Sequence, residues 1–243
     1  MGKTTTALNL SVAFAIAEKR TLLIDSDPQA HSTTGAGVKK TLIHKTLYDG
    51  LRGNASINEL TINGGIDFFK IIPSRMELAR AEAELLFKAD KETVLRDLIK
   101  AQKEDYDFIL IDCPPSLNLL MVNALTASDS MIIPLQCEFY ASEGLDQFLK
   151  NYDVFKKMFN PDIRIEGILL TMVDEKYKSC WKIAEYAKNR FNGMIFNTFI
   201  PRDRNFPESA HLGKPLMLYD ITSPGARSYL ELAREIISRG GRV

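Results

Sequence analysis

Cysteine is scarce in this 243-residue chain. The three present, Cys113, Cys137 and Cys180, are odd in number and form no C-x-x-C pair. That disfavours a disulfide framework or a zinc site and fits a reducing compartment. Long apolar runs are missing too, since none approaches the ~18 residues of a membrane-spanning helix. The threonines after Lys3 leave no room for the apolar core of a signal peptide. Net charge is also absent, with 31 Lys and Arg against 31 Asp and Glu. Contact with nucleic acid would therefore need a local basic patch. These absences lead us to expect a cytoplasmic protein with no membrane partner.

What the sequence does contain is a regular alternation of apolar strands and amphipathic helices. Strands are expected at Thr21–Asp25, 66–72, Phe108–Asp112, 131–135, 165–171 and 194–200. Their apolar residues are continuous rather than alternating, which suits strands buried on both faces of a parallel sheet. Helices are expected over 4–19 (with Leu8, Val12, Ala15 and Ile16 on one face), 77–87, 92–101 and 145–159. A last helix opens with Ser223-Pro224, a cap followed by proline at the first turn. With 45% hydrophobic residues and no low-complexity tract, the chain reads as one domain over 1–243. Its fold class is α/β, a doubly wound, mostly parallel sheet flanked by helices. The stretch 33–63 is the least periodic and suggests surface loops and short helices, with no function legible in it.

In such a sheet, ligands sit at the carboxyl ends of strands. Two strands run into acidic clusters there: Asp25-Ser26-Asp27-Pro28-Gln29, and Asp112-Cys113-Pro114-Pro115-Ser116. An aspartate after an apolar strand can orient the shell of a Mg²⁺ ion in a nucleotide site, or can cap the next helix. Gly2-Lys3-Thr4 matches the end of a phosphate-binding loop, whose backbone N–H groups and lysine hold phosphates. Cys113 and Cys137 read as small packing residues, Trp181 as a packing anchor, and His31, His44 and His211 as non-ligands.

Together these motifs resemble the deviant Walker A ATPases of the ParA/MinD type, most nearly the ParA (Soj-like) partitioning branch. The residues that carry the resemblance are Gly2 to Leu10, Asp25 to Gln29, Asp112 to Ser116, Pro134 to Tyr140, Ile200 to Arg204, Gly213-Lys214-Pro215 and Tyr219-Asp220. It implies a P-loop ATPase that uses ATP and Mg²⁺. Gly2 and Lys3 would hold phosphates, Thr4 would ligate Mg²⁺ and Thr5 would contact the α-phosphate. Asp27 would position the attacking water and, with Lys3, form the catalytic pair. Asp112 would orient the Mg²⁺ shell, and the Pro201, Arg202, Asp203 loop would lie against adenine. The family's loop reads K-G-G-x-G-K-T-T, with Met1 at its x. The resemblance therefore implies that the lysine reaching across the dimer, two glycines and a first central strand are missing from this chain.

The resemblance further implies an ATP-bound homodimer that binds DNA without sequence preference and associates with the nucleoid. A centromere-binding, ParB-like partner would stimulate hydrolysis and release the DNA. Candidate DNA contacts are Lys182, Lys188, Arg190, Lys214 and Arg227, each of which also reads as part of a solvated charged face. Two alternatives are a MinD-like division-site regulator, disfavoured by the lack of an amphipathic tail after Ser238, and a truncated, ATPase-deficient interaction protein.

Overall fold

A computed structural model describes residues 2–39, 41, 43–137, 141–174, 185 and 193–240, with 141–147 as backbone. The elements in chain order are α1 (Lys3–Ile16), β1 (Thr21–Asp25), α2 (His31–Gly35), α3 (Leu47–Arg52), α4 (Ile57–Leu60), β2 (Ile62–Asn63) and β3 (Phe69–Ile72). Next come α5 (Leu78–Leu85), α6 (Val94–Lys100), β4 (Phe108–Asp112), α7 (Leu119–Ala127), β5 (Ser130–Gln136), α8 (Ala141–Met158) and β6 (Arg164–Thr171). The chain closes with α9 (Asn205–His211), α10 (Leu216–Tyr219) and α11 (Pro224–Ser238).

The apolar runs form strands because burial on both faces suits them. All five residues of β1 are buried. β1 lies between β3 and β4 and is parallel to both, while β2 adds antiparallel to β3, giving the order β2-β3-β1-β4. β5 and β6 form a separate parallel pair. The expected mostly parallel sheet thus consists of two half-sheets, and no described ladder joins β4 to β5. Both run the same way, because the carboxyl end of each meets the start of α1. Thr4 lies beside the Asp112 carboxyl at the end of β4, and Gly2 abuts Thr171 at the end of β6.

Helices cover both faces. α1 and α11 pack on one side with Leu23, Ile71, Leu110 and Leu169. α3, α5, α6 and α7 pack on the other with Leu22, Ile24 and Ile72. A third cluster joins α8 to β5 and β6 through Phe155, Ile133 and Ile168. Where one buried face was expected for α1, the structure buries every residue from Leu8 to Ala15. Ile16, expected to be inside, is 40% exposed. The helix is wedged between the sheet and α11, so it has almost no solvent face.

Two expected strands need correction. The run 66–72 forms a strand only from Phe69, because Phe68 takes a left-handed φ of 63° that breaks the extended chain. The run 194–200 forms only isolated bridges, Ile168 with Ile195 and Val173 with Pro201. The Glu235 carboxylate accepts the N–H groups of Asn197 and Thr198 at 2.8 and 2.9 Å, which takes those donors out of any ladder. The last helix is capped as expected, with Ser223 accepting from Ala226 N–H and proline at the first turn.

Buried polar bonds fix α1 at both flanks. The Thr6 hydroxyl meets the Tyr229 hydroxyl at 3.1 Å. Asn9 Oδ1 accepts Leu216 N–H at 2.8 Å, while its Nδ2 donates to Thr5 C=O. Asn9→Ala would orphan the buried Leu216 N–H, so urea denaturation is expected to show a loss of roughly 1–3 kcal/mol. Ser11→Ala removes only a bond within α1 and should cost less.

Candidate nucleotide site

The site forms where the amino end of α1 meets the carboxyl ends of β1 and β4. Gly2 caps α1 in a left-handed conformation, φ 77° and ψ 14°, that glycine adopts without strain. Its carbonyl accepts Thr6 N–H at 2.8 Å, which starts the helix. Lys3, Thr4 and Thr5 form the first turn and are partly exposed. The unpaired N–H groups and dipole of a helix start favour anions, and Lys3 adds a charge.

Asp25 and Asp112 are register partners on adjacent strands, and both are buried. Asp25 accepts from Thr33 N–H at 2.7 Å, Thr33 Oγ1 at 2.6 Å and Asp27 N–H at 3.2 Å. Asp112 accepts from Ser32 Oγ at 2.8 Å, with Thr4 beside it. Asp27, also buried, accepts Gln29 N–H at 2.8 Å. Burial holds the Asp25 carboxyl above its usual range. Burial, with the charges of Asp25 and Asp27, pushes Asp112 up to about 7. The Cys113 thiol is pushed up to about 12 by burial and the Asp112 charge. It therefore stays protonated and donates weakly to Ile111 C=O.

The donor set fits Mg²⁺. Asp112 Oδ1 and Thr171 Oγ1 are buried and have no hydrogen-bond partner among the described residues. Hard oxygens beside a carboxylate cluster whose charges raise one another suit a small divalent cation.

The structure brings Gly2, Lys3, Thr4, Thr5, Asp27 and Asp112 together at this corner. The Pro201–Asp203 loop follows β6, with Arg202 N–H donating to Val173 C=O. Arg202 is exposed. Asp203 accepts the N–H groups of Asn205 and Gly225, so its carboxylate anchors the starts of α9 and α11. Lys214 and Arg227 are exposed, on the α9–α10 turn and on α11. Lys182, Lys188, Arg190 and Trp181 lie outside the described residues. Sequence reasoning missed Ser32 and Thr33, which stand at the start of the least periodic stretch, Ser32 just before it. The available signal was a hydroxyl pair a few residues after the acidic cluster, the spacing at which a chain can turn back onto its own carboxylates.

The raised Asp112 value sets a pH dependence. Folded Asp112 keeps its proton to about pH 7, whereas the unfolded carboxyl loses it near 3.9. Its contribution is fully present below the unfolded value and falls as pH rises towards 7. In metal-free protein, the melting-temperature advantage of Asp112→Asn over wild type is expected to be roughly 5 °C or more larger at pH 8 than at pH 5. Thermal scans at both pH values check this, and a difference independent of pH would contradict it.

Comparison with known proteins agrees with this geometry. Residues 1–165 match the family model described as an AAA domain. The chain is 44% identical to the chromosome partitioning protein ParA of Myxococcus xanthus, over 98% of this chain and 84% of that protein. It is 42% identical to the sporulation initiation inhibitor protein Soj of Bacillus subtilis, over 99% of this chain and 95% of that protein. Cobyrinic acid a,c-diamide synthase from Mycobacterium smegmatis, solved with ADP and magnesium, superposes with a TM-score of 0.85 at 29% identity, covering 100% of this chain and 92% of that one. A helix start, a lysine and paired strand-end carboxylates thus recur in a chain whose sequence matches partitioning proteins over nearly its full length: it belongs to the ParA/Soj family of chromosome-partitioning P-loop ATPases.

Proposed function

We propose that residues 1–243 act as one ATP-dependent partitioning domain that dimerises with ATP and Mg²⁺, binds DNA without sequence preference and releases it on hydrolysis. The observation that carries this reading is the meeting of α1's amino end with Asp25, Asp27 and Asp112. Gly2, Lys3 and the first-turn N–H groups bind the phosphates, and Thr5 contacts the α-phosphate. Thr4 and Asp112 hold Mg²⁺, which when bound neutralises charge between the phosphates. Asp27 is buried at the rim of the same corner, where its carboxylate orients the attacking water. The exposed turn at Pro201 and Arg202 lies against the base, with Asp203 fixing its shape.

Dimerisation doubles whatever positive face the protomer presents, which lets a neutral chain bind phosphates in a salt-dependent way. Lys214 and Arg227 are the candidate contacts among the described residues. A centromere-binding partner would stimulate hydrolysis and so set the lifetime of the DNA-bound state. No described helix is long and apolar enough to cross a membrane, in keeping with work in the cytoplasm on the nucleoid. The alternative, a second reading, is an interaction protein that does not turn over ATP.

DNA retention by the 243-residue chain at low salt with saturating ATP and Mg²⁺ tests the proposal. Asp27→Ala should prolong retention. Lys3→Ala should weaken nucleotide binding by about 10- to 100-fold, the worth of a charge-assisted hydrogen bond, and abolish retention. Nucleotide binding without DNA retention would reject the partitioning role, and absence of nucleotide binding would favour the second reading.

A further inference from the structure

The paired aspartates at the nucleotide corner use their oxygens differently. Both Asp25 oxygens are taken: Oδ2 accepts Thr33 N–H and Oγ1, and Oδ1 accepts Asp27 N–H. Asp112 is divided. Its Oδ2 accepts the Ser32 hydroxyl at 2.8 Å, while its buried Oδ1 has no hydrogen-bond partner among the described residues. Asp25 is committed to the fold, and Asp112 keeps one oxygen open. A carboxylate does not settle on that arrangement alone, because the last torsion of an aspartate side chain is broad. A donor has to fix it. Ser32 is fully buried, its hydroxyl carries one proton, and that proton goes to Asp112 Oδ2.

The same hydroxyl closes the turn that begins at Asp27. Within that turn Asp27 Oδ1 accepts Gln29 N–H at 2.8 Å, and Asp27 C=O accepts Ala30 N–H at 2.9 Å. Ala30 takes a left-handed φ of 55°. An alanine keeps that conformation only where its flanks hold it there. Asp25 holds the near flank through Asp27 N–H, and Ser32 and Thr33 hold the far one. The turn carrying Asp27 thus ends on the carboxylate whose other oxygen is open.

We propose that Ser32 is a positioning residue for the metal shell. It holds Asp112 by Oδ2 so that Oδ1 is left for the cation and its waters, and it ties the Asp27 turn to that same carboxylate. Cation affinity and the order of the turn then depend on one hydroxyl. Partners that orient a metal-holding group commonly matter to affinity without touching the metal themselves. Ser32 can play this part only if the corner takes nucleotide with Mg²⁺, so the role rests on the function proposed above.

The test compares the full chain with Ser32→Ala and with Ser32→Cys, which keeps the shape but donates more weakly. Binding of a non-hydrolysable ATP analogue is titrated by calorimetry over a range of Mg²⁺ and again in EDTA. The Mg²⁺ needed for half-maximal tightening is expected to rise about tenfold in Ser32→Ala and by less in Ser32→Cys. Affinity in EDTA should stay within about twofold of wild type, because the phosphate donors of α1 are untouched. In the nucleotide-free chain, amide exchange at Gln29 and Ala30 is expected to quicken about tenfold in Ser32→Ala, with Leu23 and Leu110 unchanged. Ser11→Ala, which loses only a bond within α1, should match wild type in both measurements. Equal losses of affinity with and without Mg²⁺ would reveal a purely structural role and overturn the proposal. So would an unchanged Mg²⁺ requirement beside a wild type that responds to Mg²⁺, or unchanged exchange at Gln29 and Ala30. A wild-type chain that binds no analogue at all removes the underlying function and this role with it. If Ser32→Ala melts below the assay temperature, Ser32→Cys decides by the same criteria.

Discussion

Two carboxylates buried side by side, Asp25 and Asp112, set the constraint on which the rest of this structure depends. They occupy paired positions on adjacent strands, where desolvation and mutual repulsion both oppose ionisation. The chain offsets part of this with donors drawn from one short segment. Thr33 serves Asp25 and Ser32 serves Asp112, so α2 is held across the ends of both strands. Thr33 Oγ1 also accepts Ser74 N–H, which brings in the segment after β3. Thr4 reaches Asp112 from the start of α1. Three strand ends and α2 are thereby fixed relative to one another by hydrogen bonds to Asp25, Asp112 and Thr33.

That arrangement explains why the phosphate site sits on a rigid element. α1 is buried along eight consecutive residues and tied by polar bonds to α10 and α11, so its first turn has little freedom. Its positive end and Lys3 stand against a carboxylate cluster that would otherwise repel phosphate. A divalent cation resolves the conflict, because it attracts phosphate oxygens and carboxylates alike. Under the proposed function, the unpartnered Asp112 Oδ1 would face the metal shell.

Much of this was legible in the sequence, and what was missed has a common cause. β1 and β4 were read to the residue because continuous apolar runs ending in aspartate leave little ambiguity. The Ser223-Pro224 cap was equally plain. The run 194–200 misled because its apolar content is that of a strand, while the competing acceptor, Glu235, lies about forty residues later in the chain. Ser32 and Thr33 were invisible for the same reason. Their importance comes from what they touch, and periodicity does not report a hydroxyl folding back onto a carboxylate. Asp25 satisfied both readings at once, since it shapes the loop through backbone donors and charges the site. Asp203 proved more structural than its motif implied, because two helix starts use its oxygens.

The separation of the two half-sheets follows from what joins them. No described backbone ladder spans from β4 to β5, so the connection is made by helices and side chains. Leu169 of β6 and Phe196 pack in the same cluster as Leu10 and Phe14 of α1, and Ile132 of β5 packs against it. α7 supplies the covalent link and contributes Val122 and Leu125 to the third cluster. For the edges to pair directly, β5 and β6 would have to move towards β4. That would pull β6 away from the α1 side chains that bury it and shift Thr171 from Gly2. Close-packed cores resist such a slide, because side chains drawn away from their neighbours meet no equivalent packing until the next discrete fit. The helices that bury the half-sheets therefore also connect them.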